Sequence, residues 1–189
     1  MTMHYINRKG QIYYLYQGTT KTGRQKYYFS TKEKQARLNN IPDGFEVYEN
    51  PISAQVFLIK KEEPLISELE RNAVISSLKK NANLDHFIVD VRKNYITIYT
   101  AENALDTDNY PEYMHEKILR NMHMFLRYMA EMRFELVNTN KRYFVAERFC
   151  YRGSVDDWIT ISSPNRLNEL IGQFVIHLGQ QSFYELFPY

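Results

Sequence analysis

The stretch Gln11–Ser30 reads QIYYLYQGTTKTGRQKYYFS, and the fold of the N-terminal part of the chain follows from it. Two runs of aromatic and β-branched residues, Ile12–Tyr16 and Lys26–Phe29, favour strands. The polar segment between them contains Gly23, and glycine takes a positive φ angle at little steric cost. This pattern is typical of a hairpin closed by a type I turn and a G1 bulge. The stretch therefore predicts a β-hairpin.

The register of this hairpin decides which rings face outward, because strand side chains alternate between two faces. The expected cross-strand partners are Thr20 with Arg24, Gly18 with Lys26, and Tyr16 with Tyr28. One face then carries Tyr14, Tyr16, Lys26 and Tyr28. The other face is more apolar, and we expect it to pack against the core; it carries Tyr13, Leu15, Tyr27 and Phe29.

Positive charge is concentrated in the first 40 residues. They hold eight basic residues against a single acid, Glu33, so their net charge is +7. The whole chain is +2, which leaves −5 for residues 41–189. Such asymmetry indicates a polyanionic partner, because lysine and arginine neutralise phosphates and exposed rings stack on bases.

We therefore predict that the hairpin binds DNA or RNA. The expected phosphate contacts are Arg8, Lys9, Lys21, Arg24 and Lys26, and the rings expected to stack or pack are Tyr14, Tyr16 and Tyr28. The alternative is a solvated edge hairpin, whose lysines block edge-to-edge pairing and whose tyrosines form a ladder or are covered by the rest of the chain.

Two resemblances concern this part of the chain. Over residues 11–38, the order strand, Thr-Gly-Arg loop, strand and short helix resembles the arm-binding domain of tyrosine integrases, in which a small sheet enters the DNA major groove. No integrase catalytic pattern follows, so no catalytic residue is carried over. The chain up to about residue 60, with IPDGFEVYENP at Ile41–Pro51, also resembles uncharacterised bacterial proteins that share the hairpin and this motif. That resemblance names no activity.

The rest of the chain predicts three main helices, at about residues 68–80, 112–133 and 164–179. Ser67 and Glu70 have the spacing of a capping box, and Pro164 and Gly179 suit the start and end of the last helix. The middle helix rests on a helical repeat of apolar positions: Met114, Ile118, Met122, Phe125, Met129 and Met132. With further hairpins at residues 87–100 and 134–151, the predicted fold class is α+β with antiparallel β-hairpins.

Two regions are expected, a basic aromatic hairpin region at 1–60 and an α+β body at 61–189. The first region is either separate or part of the body, and the acidic, turn-rich segment 101–110 is another candidate boundary. No run approaches the roughly 20 apolar residues of a membrane span, and no secretory signal is seen, so a cytoplasmic protein without a membrane partner is expected. The single cysteine, Cys150, excludes an internal disulfide framework.

The sequence predicts no catalytic residue, no metal site and no cofactor, because phosphate-binding loops, nucleophile elbows and metal-ligand clusters are lacking. The acids Asp43, Glu46 and Glu49 are expected at a solvated turn and edge. The second candidate function is a homodimer or other protein interaction through Met122, Phe125 and Met129 on the methionine-rich helix. An enzyme without a local motif is the third.

Overall fold

A computed structural model describes residues 3–34, 37–81, 83–84, 86–101, 111–114, 116, 121–152 and 155–186. The chain forms two compact units. Unit 1 comprises Met1–Glu62 and Leu105–Arg127, and unit 2 comprises Glu63–Ala104 and Tyr128–Tyr189. The architecture is α+β with antiparallel hairpins, which confirms the predicted fold class.

Unit 1 contains two small antiparallel sheets. The first has the order β1-β2-β3, with β1 at His4–Ile6, β2 at Ile12–Thr19 and β3 at Gln25–Ser30. The second is a hairpin of β4 at Phe45–Glu49 and β5 at Val56–Lys60. The rings of Tyr27 and Phe45 meet edge to face between the sheets, with centroids 5.4 Å apart. Tyr13 and Leu15 are buried, as expected for the apolar face of the hairpin.

The turn between β1 and β2 is tied to the second sheet of unit 1 by one ion pair. Arg8 Nη1 lies 2.9 Å from Glu49 Oε1, and both side chains are largely buried. The same guanidinium donates hydrogen bonds to the carbonyl groups of Asn50 and Ile52. Asn7 Nδ2 also donates to the Ala54 carbonyl at 2.7 Å. The expectation that Glu49 lies at a solvated edge is therefore wrong, because its carboxylate is largely buried and accepts a hydrogen bond from the Arg8 guanidinium.

Unit 2 is organised around an antiparallel sheet in the order β10-β9-β8-β7-β6. The strands are β6 at Phe87–Arg92, β7 at Tyr95–Ala101, β8 at Tyr128–Asn138, β9 at Tyr143–Arg152 and β10 at Val155–Thr160, and β11 at Asn165–Arg166 pairs with β9. Helices α1 at Glu68–Leu78 and α3 at Leu167–Phe174 contribute Val74, Leu78 and Phe174 to a core shared with the sheet. Ser67 and Glu70 form the predicted capping box.

The predicted helix over 112–133 is wrong from Tyr128 onward. Residues 112–114 and 116 are helical, and the four-residue helix α2 spans Met122–Phe125, but Tyr128 begins strand β8. Met132, Phe134 and Leu136 are buried and alternate with more exposed Arg133 and Glu135. This repeat of two residues is the signature of a half-buried strand, and it prevails over the helical spacing of the methionines.

The last helix begins later than predicted. Asn165 and Arg166 pair with Phe144 and Tyr143, so α3 starts at Leu167 and a 3₁₀ turn at Val175–His177 continues it. Pairing of this backbone with the edge of β9 competes with helix formation and wins. Gly179 has a φ angle of 80°, as expected for the residue that ends a helix.

Candidate nucleic-acid interface

We call residues 16–34 the basic finger: the ends of β2 and β3, the turn between them, and the loop after β3. Its register is the predicted one, with Tyr16 opposite Tyr28 and Gly18 opposite Lys26. The Gly23 amide donates to the Thr20 carbonyl at 3.0 Å, and Gly23 has a φ angle of 76°. The finger therefore closes through the glycine that the sequence indicated.

Tyr16 lies in the interior of unit 1, with 1% of its surface exposed, so of the two roles predicted for it, stacking and packing, only packing is open to it. Its hydroxyl accepts a hydrogen bond from the Lys34 amide at 2.9 Å and donates one to the Lys32 carbonyl at 3.1 Å. The loop that follows β3 folds back over this ring. Tyr16 thus positions the backbone of two lysines instead of offering a surface for a base.

Tyr28 holds two ammonium groups beside its ring. Lys34 Nζ lies 5.0 Å from the ring centroid and Lys26 Nζ lies 5.3 Å from it. Gly18 makes room for this arrangement, because a side chain there would meet Tyr28 Cε1 at 3.2 Å and Lys26 Cε at 3.6 Å. The ring attracts both cations through its quadrupole, so Tyr28 gathers positive charge at the surface of the finger.

Tyr14 is covered by a cation that already has an acid partner. The guanidinium of Arg37 lies 3.9 Å from the Tyr14 ring centroid, and Arg37 forms an ion pair with Glu33. Since Glu33 is the single acid in residues 1–40, this pair removes it as a partner for the lysines of the finger. Tyr14 therefore packs inside unit 1, which is one of the two roles predicted for it.

Five exposed cations remain on the finger: Lys21, Arg24, Lys26, Lys32 and Lys34. Within the described part of the chain, none of them forms an ion pair. Lys32 and Lys34 were counted in the basic charge but were not predicted as contacts, because only the return of the loop over Tyr16 brings them to the hairpin. The sequence did contain a signal for these two contacts, because both lysines follow the second strand of the hairpin within four residues.

The other two predicted phosphate contacts lie away from the finger. Arg8 is committed to Glu49 and to backbone carbonyl groups, so we leave it out of the interface. Lys9 is half-buried in the turn before β2, at the opposite end of that strand from the finger turn. At about 3.3 Å per strand residue, the eight residues of β2 separate the two turns by roughly 25 Å.

The residues of the alternative protein interface do not share one helical face. Met122 and Phe125 belong to the single turn of α2 in unit 1, where 60% of Phe125 is exposed. Met129 lies on strand β8 in unit 2. The continuous methionine stripe that suggested self-association is therefore absent from this part of the chain as the structure describes it.

The described residues lack two further features. No group of three or more histidine, cysteine, aspartate or glutamate residues is arranged to hold a metal ion. No described helix has the length and apolar character needed to cross a bilayer.

Burial raises the pKa of several tyrosines, Tyr5 and Tyr99 among them. In unit 1 the pKa of Tyr5 is raised by burial and by its hydrogen bond to Glu49. In unit 2 burial raises the pKa of Tyr99 to about 12. The cations of the finger are not involved in either shift.

Comparisons with family models, curated proteins and solved structures gave no match to this chain. The two resemblances to known families therefore stay predictions.

Proposed function

We propose that this protein binds nucleic acid through phosphate contacts made by the basic finger. The supporting observation is the set of five exposed cations without an acid partner among the described residues, two of which converge on the ring of Tyr28. Arg24 and Lys21 lie at the turn, Lys26 and Lys34 flank Tyr28, and Lys32 lies in the loop tied to Tyr16.

The convergence of charge matters because it costs free energy in the unbound protein. The two ammonium groups beside Tyr28 lie no more than about 10 Å apart, which is within one Debye length at 0.1 M salt. Contact with a cation–π ring offsets part of their repulsion, by about 0.5–1 kcal/mol at an exposed site. A polyanion would neutralise the two ammonium groups and release its own counterions. Binding would therefore remove the repulsion that remains between these groups in the folded, unbound protein.

The role proposed for the finger is electrostatic positioning. Phosphate contacts fix where a protein lies on nucleic acid and carry no direct sequence information. Base stacking is not part of the proposed contact, because Tyr16 is buried and the Tyr14 ring is covered by Arg37. The third ring, Tyr28, already has two lysine ammonium groups beside it. A two-stranded ribbon fits the major groove of B-DNA, and the resemblance to the arm-binding domain of tyrosine integrases favours the same ligand, so duplex DNA is the first choice.

The test is fluorescence anisotropy with a labelled 20-base-pair duplex, repeated over a series of salt concentrations. Five phosphate contacts predict that the logarithm of the binding constant falls with the logarithm of salt at a slope of about −4 to −5. The triple variant Lys21→Ala, Arg24→Ala, Lys26→Ala removes three of the five contacts. We expect its affinity to fall at least about tenfold, with a slope shallower by about 2 to 3.

A matched control removes the same charge elsewhere. Lys60, Lys61 and Lys79 are exposed and lie outside the finger, so the triple alanine variant at these positions has the same net charge as the finger variant. We expect it to bind the duplex within about twofold of the parent. Equal losses in the two variants would mean that net charge alone attracts the DNA. Unchanged binding by the finger variant would exclude the finger as the contact and favour the solvated edge hairpin.

A further inference from the structure

Unit 2 contains a cavity of about 530 Å³ that the proposed nucleic-acid function does not use. Its volume is within the range of small-molecule sites in proteins. Its lining includes Thr100, Met129, Glu131, Phe149 and Tyr184, together with His86 and three amide side chains. All of them belong to unit 2, so the cavity is a property of that unit by itself.

A β-bulge places the one acid of the described lining. Along β8 and β7, Met132 pairs with Ile98 and Ala130 pairs with Tyr99, which leaves Glu131 as an extra residue without a partner in the ladder. A bulge changes the direction in which a strand side chain points. In a regular strand, Glu131 and its neighbour Met132 would point to opposite faces of the sheet. The bulge removes this restriction, and the Glu131 side chain reaches Thr100.

The carboxylate of Glu131 is held by two neutral donors. The Thr100 hydroxyl donates to Oε2 at 2.6 Å and the Tyr184 hydroxyl donates to Oε1 at 2.9 Å. No described lysine or arginine forms an ion pair with Glu131, and none lines the cavity. A carboxylate accepts about four hydrogen bonds, so the two described donors leave Glu131 further acceptor positions in a half-buried setting.

The wall that carries Tyr184 is anchored. Arg148 Nη1 donates to the Tyr184 carbonyl at 2.6 Å, and the neighbouring side chain of Phe183 is fully buried. Apolar surface is supplied by Met129 and Phe149, whose ring also contacts Trp158 with centroids 5.1 Å apart. The cavity therefore combines the carboxylate of Glu131 with apolar surface from Met129 and Phe149, in a lining whose other side chains are partly polar.

We propose that this cavity binds a small organic cation, an amine attached to an apolar group, with its ammonium donating to Glu131 and its apolar part against Met129 and Phe149. An anionic ligand is disfavoured because the described lining offers a carboxylate and neither lysine nor arginine. A neutral ligand of the same shape would satisfy the hydrogen bond but not the charge. This proposal is independent of the nucleic-acid function, since the finger belongs to unit 1.

The test uses three ligands of matched shape, 2-phenylethylamine, 2-phenylethanol and phenylacetate, titrated into the full chain and followed by amide NMR shifts. A nine-atom ligand is expected to bind with a dissociation constant of about a millimolar. We expect 2-phenylethylamine to saturate shifts around residues 99–101 and 129–131, 2-phenylethanol to bind at least fivefold more weakly, and phenylacetate not to bind.

The variant Glu131→Gln keeps the size of the side chain and removes its charge, so it should abolish the preference for the amine over the alcohol. Glu169→Gln removes an exposed acid on α3 of the same unit and should leave the preference intact. Equal binding of the amine and the alcohol to the parent, or a preference that survives Glu131→Gln, would overturn the proposal. So would the absence of saturable shifts with the amine at about 10 mM. If Glu131→Gln fails to fold, the three-ligand comparison on the parent decides the matter alone.

Discussion

Cations lie over aromatic rings both in unit 2 and in the basic finger of unit 1, but the lysines beside Tyr28 in the finger have no acid partner among the described residues. The guanidinium of Arg133 lies 4.3 Å from the Tyr95 ring centroid and 4.4 Å from that of Trp158, and its Nε donates to Glu147 at 2.5 Å. In the finger, Lys34 lies 5.0 Å from the Tyr28 ring with no acid beside it in the described chain. The contact between a cation and a ring is structural at Arg133, where an acid compensates the charge. At Lys34 the charge is not compensated, and it stays available for a partner.

The largest effect is expected where this compensation is broken. Arg133→Ala would leave Glu147, which is 7% exposed, as an unpaired buried acid. Loss of one partner of such a pair costs about 3–5 kcal/mol, so we expect the free energy of unfolding in urea to fall by that amount. The control is Arg24→Ala on the exposed finger, which should change it by less than about 0.5 kcal/mol. Similar losses in both variants would remove the distinction between the two kinds of cation.

A smaller effect is expected at the hydroxyl that supports the finger. Tyr16→Phe removes the group that bonds the Lys32 carbonyl and the Lys34 amide, and it should lower the free energy of unfolding by about 1–3 kcal/mol. Binding to duplex DNA should weaken as well, because Lys34 loses the bond that positions its backbone.

Tyr14→Phe is the matched control, since the Tyr14 hydroxyl donates no hydrogen bond to the described residues. Its unfolding free energy should stay within about 0.5 kcal/mol of the parent. A Tyr16→Phe variant as stable as this control would show that the loop is held by other contacts.

The smallest effect is a dependence on pH. Burial opposes ionisation of Glu70, but hydrogen bonds from Arg142 and Ser67 prevail and lower the pKa of Glu70 below its usual 4.5. A lowered pKa in the folded state gives stability that is present above the unfolded pKa and lost as the pH falls through the folded one. The thermal midpoint should therefore decline less between pH 6 and pH 3 in Glu70→Gln than in the parent. Equal declines would mean that the pair with Arg142 does not contribute.

The sequence predicts local structure correctly where that structure depends on residues that are close together in the chain. The hairpin register follows from Gly23 and the alternation of its strands, and the capping box follows from the spacing of Ser67 and Glu70. The predicted helix at 112–133 is wrong from Tyr128 onward, because positions 122, 125, 129 and 132 satisfy a helical period by coincidence. From Met132 to Leu136 the alternation of apolar and charged residues was the stronger signal.

The sequence by itself determined that the finger forms, where its turn lies and how much positive charge it carries, because turn geometry and strand alternation act over a few residues. Only the tertiary structure decided what those groups do. The returning loop buried Tyr16 and brought Lys34 to Tyr28, the second sheet neutralised Arg8 with Glu49, and a bulge directed Glu131 toward Thr100. Burial and charge pairing depend on contacts between segments that are distant in sequence, and the local pattern of residues does not specify those contacts.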